Sequence, residues 1–88
     1  MSYTLIVDKK IEAIIYKISQ KDKLQYEILA RKIQEVINNP YQKKPLRGNM
    51  AGQWRVHIRN FVLTYEINEA TKEVILLDYD HHDSIYKK

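Results

Sequence analysis

The chain has 88 residues, enough for one hydrophobic core and no more, so a single domain over residues 1–88 is expected. At 44% hydrophobic and 30% charged, with a net charge of +4, the composition is that of an ordinary globular domain rather than a disordered or fibrous one. No apolar run approaches the roughly 20 residues a membrane helix needs, and the absence of cysteine excludes disulfides and thiolate metal sites and fits a reducing compartment.

The N-terminal stretch MSYTLIVDKK lacks a basic segment ahead of a long apolar one, so no secretion signal is expected. Tyr3 to Val7 reads as a short strand, rich in aromatic and β-branched residues. Asp8 can cap a helix. Ile11, Ile14, Ile15 and Ile18 then fall on one helical face, and Ser19 to Lys21 is expected to break it. Asp22 with Gln25 resembles a capping box. Tyr26, Leu29, Ala30, Ile33, Val36 and Ile37 continue the helical spacing until Asn38-Asn39-Pro40 ends it. The reading is a helical hairpin.

Tyr41 to Gly52 reads as a basic loop. Three strands are expected after it: Gln53–Ile58, Phe61–Ile67 and Glu73–Tyr79, with a turn at Asn68–Lys72. The tail after Tyr79 is short and polar. The order β-α-α-β-β-β predicts an α+β fold: an N-terminal strand, then a helical hairpin packed on an antiparallel sheet completed by three C-terminal strands.

Charge is unevenly spread. Residues 1–59 hold 12 Lys/Arg against 5 Asp/Glu, and residues 60–88 hold 3 against 6. Pro40 to Arg59 contains Lys43, Lys44, Arg47, Arg55 and Arg59 and no acid. Such a patch suits a polyanion or an acidic partner, although a solvated surface is the commoner reason for a charge run.

With Arg59-Asn60 as a two-residue turn, Ile58 faces Phe61, His57 faces Val62, Val56 faces Leu63 and Arg55 faces Thr64. Directly paired residues share a face. One face is then Val56, Ile58, Phe61, Leu63 and Tyr65, suited to the core. The other carries Arg55, His57, Val62, Thr64 and Glu66, with no element expected to cover it. A strand ending near Tyr79 brings Asp80, His81, His82 and Tyr86 to one end of the sheet. Histidine can donate or accept a proton near neutral pH. Cleaving RNA without a metal requires activation of a 2′-hydroxyl, stabilisation of a charged phosphorane and protonation of the leaving oxygen. His and Arg can supply those three roles. Asp80-His81-His82-Asp83 in an extended tail would point its side chains alternately, which disfavours a metal site. No cofactor-binding motif is present.

These residues resemble the RelE/ParE superfamily of toxins from toxin–antitoxin modules. The segment from Pro45 to Arg55 is similar to the Pro-Leu-Lys…Trp-Ser-Arg segment of YoeB-type members. His57-Ile58 and Phe61-Val62-Leu63-Thr64-Tyr65 are similar to the His-Ile…Leu-Leu-Ile-Tyr of YafQ-type members. His82-Asp83-Ser84-Ile85-Tyr86 is similar to their terminal His-Ser-Asp-Leu-Phe. The resemblance implies a basic endoribonuclease of the cytoplasm that cuts mRNA in the ribosomal A site and is held inactive by a cognate antitoxin. It implies a catalytic set of His57, His82, Tyr86 and Arg55, with Lys43, Lys44, Arg47, Arg59 and His81 on RNA phosphates, no cofactor and no membrane. Three positions depart from the pattern. Val62 stands where RelE and YoeB members carry Arg, Arg59-Asn60 where YafQ-type members have an acid, and Lys44 where YoeB-type members have a carboxylate. Two other readings follow from the same resemblance: a ParE-like toxin that binds a topoisomerase, and a non-catalytic binding module of the same fold.

Overall fold

A computed structural model describes residues 2–86. Strand β1 (Thr4–Ile6) leads into helices α1 (Lys9–Lys21) and α2 (Lys23–Asn38). After them come β2 (Lys44–Pro45), β3 (Trp54–Ile58), β4 (Phe61–Asn68), β5 (Glu73–His81) and a last helix, α3 (His82–Tyr86). The sheet order is β1-β5-β4-β3-β2. The expected α+β fold is present. It differs in that β1 runs parallel to β5, which makes the sheet mixed. A parallel neighbour needs a crossover connection, and the helical hairpin supplies it while covering one face.

Asp8 caps α1 through its carboxylate, which accepts from the Ile11 amide at 2.8 Å. The expected break at Ser19–Lys21 does not occur. Those residues contain no Gly or Pro, and the Ser19 hydroxyl donates to the Tyr16 carbonyl at 2.6 Å within the helix. The helices are separated by Asp22 alone, which ends α1 and caps α2 through the Gln25 amide.

The core lies between the helices and one face of the sheet. Ile11, Leu29 and Val36 pack there with Val56, Ile58, Leu63, Tyr65, Val74, Leu76 and Tyr79. Tyr26, which continues the apolar helical spacing, is exposed at 39%, and Tyr16 at 65%. Gln25 is buried in place of Tyr26 because its amide finds a partner: Nε2 donates to the Tyr79 hydroxyl at 2.6 Å. The buried Tyr65 hydroxyl donates to the Pro40 carbonyl at 2.7 Å and ties β4 to the end of the helical hairpin. At the β4–β5 turn, the Tyr3 and Tyr41 hydroxyls donate to Glu69 at 2.8 and 2.6 Å, and Lys72 pairs with the same carboxylate. These partners, Lys72 first, hold the exposed Glu69 carboxyl down at about 2.

The β3–β4 register is the expected one, with Ile58 opposite Phe61 and His57 opposite Val62. Three elements depart from expectation. The basic loop contains β2, which pairs with β3. Strand β5 runs on to His81, and the tail is a helix rather than an extended segment. Consequently the second sheet face is not open throughout. Helix α3 lies on β4 and β5, and Ile85, Val62 and Thr64 are all at most 1% exposed. Burial of Ile85, the fourth residue of α3, favours folding the polar tail back onto the sheet.

Replacing Tyr79 with Phe should test how much the core depends on its one buried amide. The substitution leaves the Gln25 amide without its acceptor, and a loss of about 1–3 kcal/mol in urea unfolding is expected, with no change in far-UV circular dichroism.

Candidate functional site

Alternation along β3 sends Val56 and Ile58 to the core and Arg55 and His57 to the far face of the sheet. Helix α3 completes the arrangement. Its first amide, at His82, donates to the Asn60 carbonyl at 2.9 Å, which anchors the helix to the β3–β4 turn. The His82 ring then stacks on His57, with centroids 5.7 Å apart and planes within 19°. One helical turn on, the Tyr86 ring lies 4.6 Å from that of His82. The Tyr86 hydroxyl accepts from Arg55 Nη1 at 2.5 Å. The four side chains form a circuit: Arg55 touches Tyr86, Tyr86 touches His82, His82 touches His57, and the Arg55 charge acts on His57. They come from two segments of the chain, joined by ring packing and by the hydrogen bonds of Tyr86 and of the His82 amide.

The electrostatics of the circuit are uneven. Partial desolvation by its neighbours, first, and then the positive charges of Arg55, His82 and Lys44 push the pKa of the largely exposed His57 below its ordinary 6.5. Lys44 reaches this site because β2 places it directly opposite Arg55. Arg55 Nε is the one buried side-chain polar atom without a hydrogen-bond partner among the described residues. A charged donor in that condition is poised for an anionic acceptor.

The expected phosphate-contacting residues are only partly gathered here. Lys43, Lys44, Arg55 and His57 line one hollow of about 310 Å³, together with Lys32 from α2. Lys43 also donates to Glu35 at 2.7 Å, which lowers the Glu35 pKa and offsets the lysine's charge. Arg59 sits on the turn with φ 58°, a left-handed conformation that side chains seldom adopt. It reaches Asp22 at 3.9 Å. Arg59, His81 and His82 border a second hollow of about 440 Å³. The His81 ring itself packs on Phe61 at 4.4 Å. As Phe61's direct partner it belongs to the opposite side of the sheet from His57. Arg47 is exposed in the loop after β2 and borders neither hollow. Val62 lies buried opposite His57, so no guanidinium occupies that central position.

Lys32 escaped the sequence reading because it stands on a helix far along the chain, and only the folded hairpin brings it to β3. Asp78 and Asp80 also join the far face, as partners of Thr64 and Val62. The sequence brought Asp80 to this end of the sheet, and the pairing of β4 with β5 could have placed both on this face had the end of β5 been read correctly. No group of three or more His, Cys, Asp or Glu side chains converges as a metal site among the described residues, and none of the described helices is long and apolar enough to cross a membrane.

A strand, a helical hairpin and a four-stranded antiparallel run closed by a short helix define the architecture of a small toxin class. The sequence profile of the ParE toxins of type II toxin–antitoxin systems matches residues 2–86. The chain therefore belongs to that family, within the RelE/ParE superfamily, and is a toxin of type II. A candidate toxin from Methanocaldococcus jannaschii, RelE4, is 38% identical over 87 residues, covering 98% of this chain and 93% of its own. Among solved structures, a YoeB/ParE toxin from Agrobacterium tumefaciens superposes with a TM-score of 0.80 at 18% identity, over 90% of this chain and 98% of its own. The toxin–antitoxin complex RelBE of E. coli gives 0.74 at 23% identity, over 91% and 96%. At such identities the structural likeness speaks to the fold.

The electrostatic reading is open to direct titration. Followed by its ring proton resonances, His57 should titrate with a midpoint below 6.5. Lys44→Ala removes a neighbouring positive charge and should raise that midpoint. An unchanged midpoint would remove Lys44 from the site.

Proposed function

We propose that this toxin is a ribosome-dependent endoribonuclease that cuts mRNA in the A site by metal-independent acid–base chemistry. The observation that carries the reading is the contact circuit of His57, His82, Tyr86 and Arg55. Histidine pairs held against an arginine are what transesterification of RNA calls for. His57, kept neutral at pH 7 by its lowered pKa, takes the proton from a ribose 2′-hydroxyl. The 2′-oxygen attacks the adjacent phosphorus, and the bond to the 5′-oxygen breaks. His82 gives that oxygen its proton, leaving a 2′,3′-cyclic phosphate and a 5′-hydroxyl. Arg55 donates to the phosphorane oxygens, with Nε as the unused donor. Tyr86 orients the guanidinium and offers its ring to a base. Lys43, Lys44 and Arg59 extend the basic surface around the circuit, whereas His81, on the other side of the sheet, and Arg47, out in the loop, lie apart from it.

Dependence on the ribosome has a physical rationale. His57 and His82 are exposed, on a surface with no deep cleft to hold a flexible RNA in line. Positioning is worth several kcal/mol to such a reaction, and a ribosome presenting a stretched codon would supply it. A cognate antitoxin, as the E. coli relative has in its complex, is the proposed partner, and the cytoplasm the proposed compartment. The family profile favours a second reading, in which the same fold binds a protein target and cuts nothing.

Cleavage of mRNA in reconstituted translating ribosomes decides between them. Wild-type protein should cut at the A-site codon and leave free mRNA intact. His57→Ala and His82→Ala should each lower the rate by about two to four orders of magnitude. A well-folded wild type that makes no cuts, or losses under about tenfold in both variants, would favour the protein-target reading.

A further inference from the structure

The hollow beside His57 draws its charge from three parts of the chain. Lys32 comes from α2, Lys43 and Lys44 from the start of β2, and Arg55 with His57 from β3. Gln42 and Val56 complete the lining, which includes no Asp or Glu among the described residues. Four fixed positive charges around about 310 Å³ repel one another and attract any anion within reach. One anion is already within reach, and it belongs to the chain. Glu35 stands one turn after Lys32 on α2. Its Oε1 accepts from Lys43 Nζ at 2.7 Å and lies 3.8 Å from Lys32 Nζ. Glu35 thus answers two of the four cations, and the cleavage chemistry gives it no task.

A carboxylate oxygen on a lysine does what a phosphate oxygen of RNA would do there. Both are anionic acceptors, and one Nζ serves either. The Lys43 side chain is 17% exposed and that of Glu35 42%, so the pair sits at the rim of the fold rather than inside it. Ion pairs at such exposure are weak and screened by salt, and their bonds exchange readily. Lysine suits exchange, because its charge is a point on a flexible four-carbon stem. We infer that Glu35 is an internal competitor for RNA phosphate, holding Lys43 in the free toxin and yielding it when a message is pressed against the site. The inference rests on the endonuclease reading for its substrate.

Such a competitor separates loose RNA from held RNA. After the exchange the carboxylate remains near the incoming phosphate, and like charges repel. That penalty is the same for every RNA, so it weakens binding without touching the chemical step. A message held by the ribosome meets the site at high effective concentration and saturates it regardless. Loose RNA binds from dilute solution and feels the whole penalty. Glu35 is therefore a specificity-determining residue that acts through Lys43. Lys44, directly opposite Arg55 on β2, is left to meet the phosphate in either case.

The test uses the full-length protein and two readouts. In the first, a short fluorescent 2′-O-methyl oligouridylate, which cannot be cleaved, is bound across a series of salt concentrations. Glu35→Gln keeps a good helix former of the same length and removes only the charge. It should bind the probe about three- to tenfold more tightly at low salt. The slope of log K against log salt should steepen by about 0.7, the increment of one more phosphate contact on a single strand. Glu27→Gln, exposed and two turns back along α2, makes the same change in net charge and should do neither. Combined with Lys43→Ala, Glu35→Gln should lose its gain, because the competition runs through that lysine. Binding unchanged in Glu35→Gln, an equal gain in Glu27→Gln, or a gain that survives Lys43→Ala would each overturn the inference. In the second readout the same probe is added to translating ribosomes. It should inhibit A-site cutting by Glu35→Gln at a several-fold lower concentration than cutting by the wild type. Equal inhibition of both would refute the competitor and leave the nuclease standing. Tighter probe binding by Glu35→Gln in a toxin that cuts nothing would uphold the competitor and refute the nuclease.

Discussion

A sheet with helices on one side keeps its other side wet unless something is laid across it, and a chain of 88 residues has little to spare. Here the cover is five residues long. Helix α3 is too short to hold itself together. It persists because Ile85 is buried on β4 and β5 and because the His82 amide is bonded to the Asn60 carbonyl. Everything proposed for the molecule hangs on that docking. It brings His82 over His57 and sets Tyr86 against Arg55.

The same docking explains the mixture of buried and exposed character on one face. Val62 and Thr64 lie beneath the cover and are dry, whereas His57, directly opposite Val62 on β3, is exposed. Arg55 falls between the two regimes. Its guanidinium is held by a tyrosine hydroxyl, with one donor buried and unused. The apolar Val62 follows from the same geometry, since a long charged side chain there would have to be buried opposite His57.

Legibility in the sequence followed the strength of local pattern. The β3–β4 pairing was readable residue by residue because Val56, His57 and Ile58 alternate cleanly and the two-residue turn fixes the rest. The isoleucine stripe of α1 was readable for the same reason. Helix α3 was not: HDSIY carries one apolar residue, and one point defines no period. Strand β2 hid behind its Pro45, a residue that argues against strand and is tolerated only at an edge. The β4–β5 register slip between Thr64 and Tyr65, which leaves Leu77 as an extra residue on β5, was invisible because Val74 to Leu77 is an unbroken apolar run, in which an extra residue leaves no mark. Of the site, Arg55, His57, His82 and Tyr86 were named from sequence, and the fold brought them into contact. His81 faces the other way, Asp80 was expected at this end of the sheet, and Lys32 and the pairing of Asp78 with Thr64 arrived only with the tertiary structure.

The borders of the sheet carry a consequence of their own. One outermost strand is three residues long and the other two, the latter with a proline that has no amide to offer. A stranger's backbone trying to extend this sheet would find very few hydrogen bonds to make on either flank. Such borders guard against runaway stacking into fibrils. They also dictate how a genuine partner must earn its grip: through side chains laid over helices and hollows, where recognition can be selective, rather than through main-chain pairing, which any extended peptide could imitate.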